Sequence, residues 1–459
     1  MRRIVLCLAV AFETCPLPAQ NLSPSNGTSA RPARVFPQRF EFKEGDRIVF
    51  LGNAWLGEEH KEGYIETMLT SRLGGKKASF RNLAWGRESA AGGSRAGLES
   101  ELKWLKEPLQ AIKPTVAILG YGMDEAGNGE ARLQRFKNDI LTLMDTVTNI
   151  SMPDQVRFVM VTPPYQEGPA GPMPEAAVDN TQLELSATAL REIAAERNAR
   201  LVDVFEAMRK EHGRRRSHNW TGDGIHLTPD GYWHVSGVFE GALNLFPGIA
   251  RMGIGRNNSI RRGGAGVTPE NIGRTETKIW FTGKDEFVFE PLEPKRPDGT
   301  NAPDGFLIQF YPVPPEKYTL KIDGEISAVE SGAAWMNAVM VRHGPLFDRV
   351  EDLRRAIIHK NELCQRSGSG EGAYLFGFRN NKHASDGRDI PERDPVISAE
   401  EEKIFRLTEL KARKYELAPA VPGDEEKLKP PEEKLHGDSS ADLRPIGLSK
   451  PGAESETVK

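Results

Sequence analysis

The chain has 459 residues, of which 27% are charged, and its formal net charge at pH 7 is −4. This length predicts two folded units with tails. The near balance of acidic and basic residues differs from the basic character typical of nucleic-acid-binding proteins. We therefore expect no nucleic-acid partner and no attraction to an anionic membrane.

The first 19 residues have the pattern of an export signal. Arg2 and Arg3 give a basic start, residues 4–12 form a short apolar core, and residues 17–19 offer a small-residue cleavage site. The core is too short to cross a bilayer as a helix. We predict a signal peptide over residues 1–19, a periplasmic or extracellular mature protein, and no integral membrane segment after cleavage. The alternative interpretation is an ordinary buried helix.

Cysteine and histidine usage gives no support to a haem or metal site. Cys7 and Cys15 lie in the predicted signal peptide, so Cys364 remains alone and cannot form an internal disulfide. The histidines are scattered, and no pair has the spacing expected of zinc ligands. We predict neither a cofactor nor a bound metal.

The next part of the chain predicts a linker and then an α/β unit. Residues 20–44 are rich in Pro, Ser, Asn and Gly, which is typical of a linker. In residues 45–248, predicted strands at 47–51, 78–82, 115–120, 156–161 and 200–205 alternate with predicted helices at about 58–73, 98–111, 130–148, 179–198 and 229–245. Five short apolar strands separated by helices predict a parallel, doubly wound sheet. Sites in such sheets form beyond the carboxyl ends of the strands.

The remaining chain predicts a second, smaller unit. Residues 249–275 are rich in Gly and Arg and are predicted to be a linker. Residues 276–420 are predicted to form a β-plus-helix extension, with strands at 278–282, 286–290, 305–311 and 317–322 and helices at 346–363 and about 398–414. The segment 322–325 is a good turn signal. Residues 421–459 are rich in Pro, Glu and Lys without an apolar period, which predicts a disordered tail.

Four short blocks in residues 45–248 carry the candidate chemistry. They are Gly52-Asn53-Ala54, Arg81-Asn82-Leu83-Ala84-Trp85-Gly86-Arg87, Gly122-Met123-Asp124-Glu125, and Asp223-Gly224-Ile225-His226. An Asp three residues before a His, close to a helix start, fits a general base that a carboxylate orients. Thr228 before Pro229 predicts a helix N-cap with Pro at the first helical position.

These blocks resemble those of the SGNH (GDSL) hydrolases. The resemblance implies a three-layer α/β/α sandwich with a five-stranded parallel sheet, as in flavodoxin-like folds. It implies metal-independent cleavage of esters, often acyl groups on carbohydrates or lipids. It also implies that Ala54 stands where the family has its nucleophilic serine, that His226 is the general base, and that Asp223 orients its ring.

Three of the blocks depart from the family pattern. Ala54 has no hydroxyl to attack a carbonyl. Arg87 falls where the family has its oxyanion glycine, while Gly86 lies one residue early. Asp124, which is followed by Glu125, replaces an asparagine. An ionised Asp accepts hydrogen bonds but cannot donate them to an oxyanion. We predict an Arg87–Asp124 ion pair in place of the oxyanion hole. The alternative for Arg87 is a solvated charge on a loop.

Several interpretations of this site stay open. Ser89, Ser94 or Thr221 could replace the serine, or His226 or Asp124 could activate water directly. Three functions stay open for the protein. It is a hydrolase with altered chemistry, a non-catalytic module that binds a glycan or ester, or a structural partner in the cell envelope. We expect a polysaccharide or an acylated small molecule as ligand, and the oligomeric state is left open.

The predicted extension is similar to one found on exported SGNH-like proteins of planctomycete-type bacteria. The similarity lies in Tyr318-Thr319-Leu320-Lys321-Ile322-Asp323-Gly324, Lys360-Asn361-Glu362-Leu363 and Tyr374-Leu375-Phe376-Gly377-Phe378-Arg379. It implies no function. We expect the extension to be a cap packed on the α/β unit, and a lid over an extended groove is the alternative.

Overall fold

The computed structural model describes residues 38–84, 98–123, 130–167, 180–213, 219–261, 265–294, 304–366, 374–375, 378–381, 390–393 and 395–428. The predicted signal peptide and most of the first predicted linker lie outside these ranges. No helix within them is long and apolar enough to cross a membrane.

The first unit alternates strands and helices along the chain. Its elements are β1 (Asp46–Gly52), α1 (Ala54–Gly57), α2 (Glu59–Glu62), α3 (Tyr64–Ser71), β2 (Ala78–Asn82), α4 (Leu98–Ile112), β3 (Val116–Gly120), α5 (Glu130–Ser151), β4 (Arg157–Val161), α6 (Asn180–Glu196), β5 (Arg200–Val202), α7 (Val204–His212) and α8 (Pro229–Ala242). All five strands are parallel, in the order β2-β1-β3-β4-β5. The predicted doubly wound sheet is therefore confirmed.

Alternating side chains of strand β1 contribute to two separate cores. Ile48 and Phe50 of β1 pack on one face of the sheet, with α3 and α8. Val49 and Leu51 pack on the other face, with α4, α5 and α6. Because successive strand residues point to opposite faces, this almost fully apolar strand serves both layers of an α/β/α sandwich.

Two boundaries differ from the prediction. The predicted strand 200–205 stops at Val202, because the Asp203 side chain accepts a hydrogen bond from Glu206 N at 3.1 Å and starts α7. The last residues of the first predicted linker belong to the core, since Phe40 and Phe42 are buried there.

The second unit begins inside the second predicted linker. Its elements are β6 (Arg251–Ile254), β7 (Ile260–Arg261), β8 (Val267–Arg274), β9 (Ile279–Asp285), β10 (Phe306–Phe310), β11 (Lys317–Ile322), β12 (Glu325–Ser331), α9 (Gly332–Asn337), β13 (Val339–Val341), α10 (Pro345–Arg366), β14 (Tyr374–Leu375), β15 (Phe378–Asn381), β16 (Ile390–Arg393), α11 (Pro395–Thr408), β17 (Ala412–Pro419) and α12 (Asp424–Lys427), with a 3-10 turn at Arg256–Asn258. The linker prediction for 249–275 is wrong, because β6, β7 and β8 pair with other strands.

Two sheets enclose the core of this unit. One has the order β12-β11-β17-β9-β8 and the other β13-β10-β6-β7. A third, three-stranded sheet has the order β14-β15-β16. The predicted turn at 322–325 closes the β11–β12 hairpin.

Three predictions for the second unit are wrong. No strand forms at 286–290. The predicted helix 398–414 ends at Thr408, and β17 lies between β11 and β9 because Tyr415 and Leu417 alternate into the core. Residues 421–428 of the predicted tail are folded, with buried Asp424 accepting a hydrogen bond from Thr319 Oγ1 at 2.6 Å.

Helix α10 fastens the two units to each other. Its Lys360 forms a buried ion pair with Glu66 of α3, and Asn361 Nδ2 donates to Glu66 Oε2 at 3.0 Å. Arg81 of β2 donates to Glu401 of α11 at 2.6 Å. Since all these partners are buried or nearly buried, the extension packs on the first unit as a cap.

Candidate functional site

The Gly52-Asn53-Ala54 block sits where β1 ends and α1 begins. A side chain at Gly52 would place its Cβ 2.4 Å from the carbonyl oxygen of Gly120, so only glycine allows this close approach of β1 and β3. Asn53 N donates to that same oxygen at 3.0 Å. Ala54 is the first residue of α1 and is half-buried, so the position that the resemblance assigns to a nucleophile lies just beyond the carboxyl end of β1.

Asn53 also joins the first block to the third. Its Oδ1 accepts a hydrogen bond from Met123 N at 3.3 Å. Gly122 has φ of 109°, a conformation that favours glycine. The loop after β3 is thereby held next to α1. Asp124 and Glu125, the predicted polar groups of this loop, lie outside the described residues.

The second block is held against α1 by Asn82. Its Nδ2 donates to the carbonyl oxygens of Leu56 at 3.0 Å and Gly57 at 3.2 Å, and its Oδ1 accepts from Ala84 N at 3.0 Å. Gly86 and Arg87 lie outside the described residues, as do Ser89 and Ser94. The Arg87–Asp124 ion pair therefore stays a prediction.

The fourth block has the most complete geometry of the four blocks. His226 Nδ1 lies 2.7 Å from Asp223 Oδ2, and Asp223 Oδ1 accepts from the N–H groups of Ile225 at 2.9 Å and His226 at 2.8 Å. Burial tends to raise the pKa of Asp223, but the hydrogen bonds from the backbone and ring of His226 and from Ile225 N outweigh it and lower the pKa to about 2. Asp223 is therefore ionised throughout the physiological range and stabilises a protonated His226 ring.

Helix capping fixes the end of this loop. Thr228 Oγ1 accepts from Gly231 N at 3.0 Å, with Pro229 as the first residue of α8, as the sequence predicts.

His226 and Asp223 are both nearly half-exposed, at 46% and 45% of their side-chain surface. The pair is thus open to a ligand and is not part of a core.

Sequence reasoning missed Glu167, which holds the fourth block in place. Glu167 Oε2 accepts from Thr221 N at 2.9 Å and from Thr221 Oγ1 at 2.8 Å, and Glu167 N donates to Gly224 O at 3.1 Å. No motif marks this residue, which follows β4 in a loop. The contacts also argue against Thr221 as a relocated nucleophile, because its hydroxyl is buried and donates to a carboxylate.

One hydrogen bond connects the helix that follows the fourth block to the helix that begins in the first block. The hydroxyl of buried Tyr232 on α8 donates to Trp55 O on α1 at 2.5 Å. Burial raises the pKa of this phenol above its usual range, so Tyr232 stays a neutral donor. The helix that follows His226 is thus docked on the helix that begins at Ala54.

Comparison with known proteins identifies the first unit. Residues 45–234 match the model of the GDSL-like lipase/acylhydrolase family. This segment is a GDSL-like lipase/acylhydrolase domain. No curated protein sequence matches the chain.

Solved structures similar to this chain are all at low sequence identity. BT4096, described as a gut microbial diltiazem-metabolizing enzyme, is 18% identical, covers 83% of this chain and 98% of its own, and superposes with a TM-score of 0.61. A putative GDSL-like lipase from Parabacteroides merdae is 16% identical over 45% of this chain and 100% of its own, with a TM-score of 0.36. An acetylxylan esterase mutant from Geobacillus stearothermophilus is 16% identical over 44% of this chain and 96% of its own, with a TM-score of 0.33.

The GDSL domain also contributes to a mixed cluster of candidate metal ligands. Asp230 and His234 of α8 and Glu293 of the extension bring one ligand atom each within 4.8 Å of the others. The expectation of no bound metal rests on histidine spacing along the chain. Such spacing does not reveal this cluster, because its third member comes from a distant segment.

Proposed function

We propose that the protein is an exported ester hydrolase that removes acyl groups from carbohydrate, with water as the attacking nucleophile in place of serine. The observation that carries this proposal is the 2.7 Å contact between Asp223 Oδ2 and His226 Nδ1. That contact orients the ring and stabilises its protonated form, which are the two tasks of the carboxylate beside a general base. The family of the domain supplies the reaction class.

In the proposed reaction, His226 activates a water molecule next to Ala54. Nε2 takes a proton from this water while the water oxygen attacks the ester carbonyl carbon. The carbonyl π electrons move to oxygen, where the backbone N–H of Ala54 donates to the negative charge. The tetrahedral intermediate then expels the alcohol, which takes the proton back from His226. The products are a carboxylic acid and the free hydroxyl of the carbohydrate.

Ala54 favours water attack over covalent catalysis. Its methyl group cannot form an acyl-enzyme, which leaves water as the nucleophile in this proposal. The predicted replacements at Arg87 and Asp124 would weaken the oxyanion hole, and the loss of one oxyanion donor costs about 10²–10³ in rate. We therefore expect slow turnover without a covalent intermediate.

The test is hydrolysis of acetylated xylooligosaccharides and aryl acetates by the purified chain lacking residues 1–19. His226→Gln should abolish the enzyme-dependent rate. His359→Gln is the matched control, since His359 pairs with Glu400 at 3.1 Å on the extension and is 53% exposed. Acid-quench mass spectrometry should find no acyl-enzyme, and a serine-reactive phosphonate should neither label nor inhibit. A rate that survives in His226→Gln, or a labelled serine whose loss removes activity, contradicts the proposal.

A non-catalytic glycan-binding module is the second candidate, and Ala54 is the observation that favours it. In that case the open Asp223–His226 pair binds an acylated glycan without cleaving it. Affinity electrophoresis in acetylated polysaccharide gels separates the two functions. Retardation that His226→Gln reduces, together with no release of acetate, supports the binding module.

Export is a separate part of the proposal. It is supported by the basic start and apolar core of residues 1–19. Expression of the full chain with a C-terminal tag should give a periplasmic or extracellular protein whose N-terminus is Gln20. A full-length protein retained in the cytoplasm contradicts export.

A further inference from the structure

We propose that Asp230, His234 and Glu293 form a binding site for a first-row divalent transition cation. The three ligand atoms lie within 4.8 Å of one another, and His234 Nε2 is 3.6 Å from Asp230 Oδ2. Metal–ligand bonds of about 2.0–2.2 Å put neighbouring ligands roughly 3.0–4.2 Å apart. Small side-chain movements therefore suffice for one cation to contact all three atoms.

The chemistry of the three groups fits this class of cation. One imidazole and two carboxylates suit zinc, manganese or iron, whereas calcium and magnesium prefer oxygen ligands alone. Asp230 and Glu293 are buried, with 7% of each residue exposed. Two carboxylates that converge on an imidazole inside the protein favour a divalent positive charge between them.

Surrounding groups hold the ligands in position. Asp230 and His234 are four residues apart on α8 and so lie on one face of the helix. The His234 ring stacks on Trp220 at 4.7 Å between centroids and meets Trp233 edge-on at 5.0 Å. Such packing restricts the rotamers of the ring, which is what a preorganised ligand needs.

Glu293 is positioned by the backbone of the extension. Its N–H donates to Asp304 Oδ2 at 2.6 Å, and Trp233 Nε1 donates to Pro291 O at 2.8 Å. The proposed cation thus bridges the GDSL domain and the extension at the first turns of α8, directly after the His226 loop. We assign it a structural role, because its ligands are buried and His226 is not one of them.

Calorimetry on the chelator-treated mature chain tests the site with Mn²⁺ and Zn²⁺ as probes. We expect one bound equivalent and a higher melting temperature with metal. Asp230→Asn, His234→Gln and Glu293→Gln should each weaken binding by more than about 10-fold, since even outer-shell changes cost that much. The His359→Gln and His226→Gln variants should bind as the unchanged chain does.

A spectrum of the unchanged chain covers the case in which the variants fail to fold. Co²⁺ should give visible d–d bands that an equivalent of Zn²⁺ removes, and EPR of the Mn²⁺ form should show coupling to an imidazole nitrogen. Absence of both signals and of calorimetric binding overturns the proposal. Binding that only His226→Gln abolishes also overturns it, because the metal then belongs to the catalytic pair.

Discussion

The hydroxyl of Tyr232 donates a 2.5 Å hydrogen bond to the carbonyl oxygen of Trp55, and this bond docks the helix after His226 on the helix that starts at Ala54. Both residues are buried, at 1% and 3% exposure. The relative position of His226 and Ala54 therefore depends on a contact that neither sequence block contains.

Tyr232→Phe should destabilise the fold, since it leaves a buried carbonyl oxygen without its donor. We expect a loss of about 1–3 kcal/mol in the free energy of unfolding, measured by denaturant titration. Tyr415→Phe is the matched control, because the Tyr415 hydroxyl is buried without a hydrogen-bond partner in the part of the chain that the structure describes. Equal losses in the two variants would show that the Trp55 bond contributes nothing specific.

Glu167→Ala should loosen the loop that carries the Asp223–His226 pair. The variant leaves the N–H and hydroxyl of Thr221 without their acceptor, at a cost of about 1–3 kcal/mol. Hydrogen exchange at Thr221 should accelerate, while Glu192→Ala on the exposed side of α6 should leave it unchanged. Unaltered protection at Thr221 in Glu167→Ala would contradict a positioning role.

Lys360→Met should strongly weaken the attachment of the extension. It leaves the Glu66 carboxylate buried without its cation, which costs about 3–5 kcal/mol when an ion pair is fully desolvated. Lys317→Met removes an exposed pair with Glu425 and should cause no measurable loss. Thermal unfolding of both variants distinguishes the two sites, and a small effect of Lys360→Met would mean that other contacts hold the extension on the first unit.

Stability should fall as the pH rises from about 4.5 to about 7, and Glu240 should be responsible. Burial and the nearby Glu290 carboxylate raise the pKa of Glu240 to about 7, against the opposing effect of Arg72. The folded chain then holds a proton that the unfolded chain has released, so the free energy of unfolding decreases through this window.

Glu240→Gln should flatten this pH dependence, because glutamine does not titrate. Glu402→Gln, at a half-exposed surface ion pair with Lys77, should leave the slope unchanged. Denaturant titrations at pH 5, 6 and 7 provide the comparison. An equal slope in Glu240→Gln and the unchanged chain would assign the dependence to other groups.

Ala54→Ser alone should not create serine chemistry. The new hydroxyl would displace the proposed water, while the predicted Asp124 and Arg87 would still impair oxyanion binding, so activity should fall. Ala54→Ser combined with Asp124→Asn and Arg87→Gly should allow labelling by a serine-reactive phosphonate. Robust turnover by the single variant would show that our interpretation of the oxyanion hole is wrong.

The sequence alone determined the architecture of the first unit and the chemistry of its most specific block. Five apolar runs separated by helical patterns predicted the parallel sheet, because buried parallel strands need nearly continuous apolar residues. Asp223 and His226 lie three residues apart, so their contact depends on a local turn. Neighbouring residues in the sequence are enough to predict such a contact. The helix N-cap at Thr228 was predictable for the same reason.

Tertiary structure decided what depends on distant partners. The local pattern predicts a helix that runs to residue 414, yet residues 412–414 begin β17. The strand forms because β9 and β11 flank it and its alternate side chains enter a core that only the folded chain creates. Glu167, Tyr232 and Glu293 acquire their roles from groups far away in the chain. A local pattern cannot reveal such roles, since the backbone carbonyl, hydroxyl or carboxylate that each residue meets is set by packing between elements.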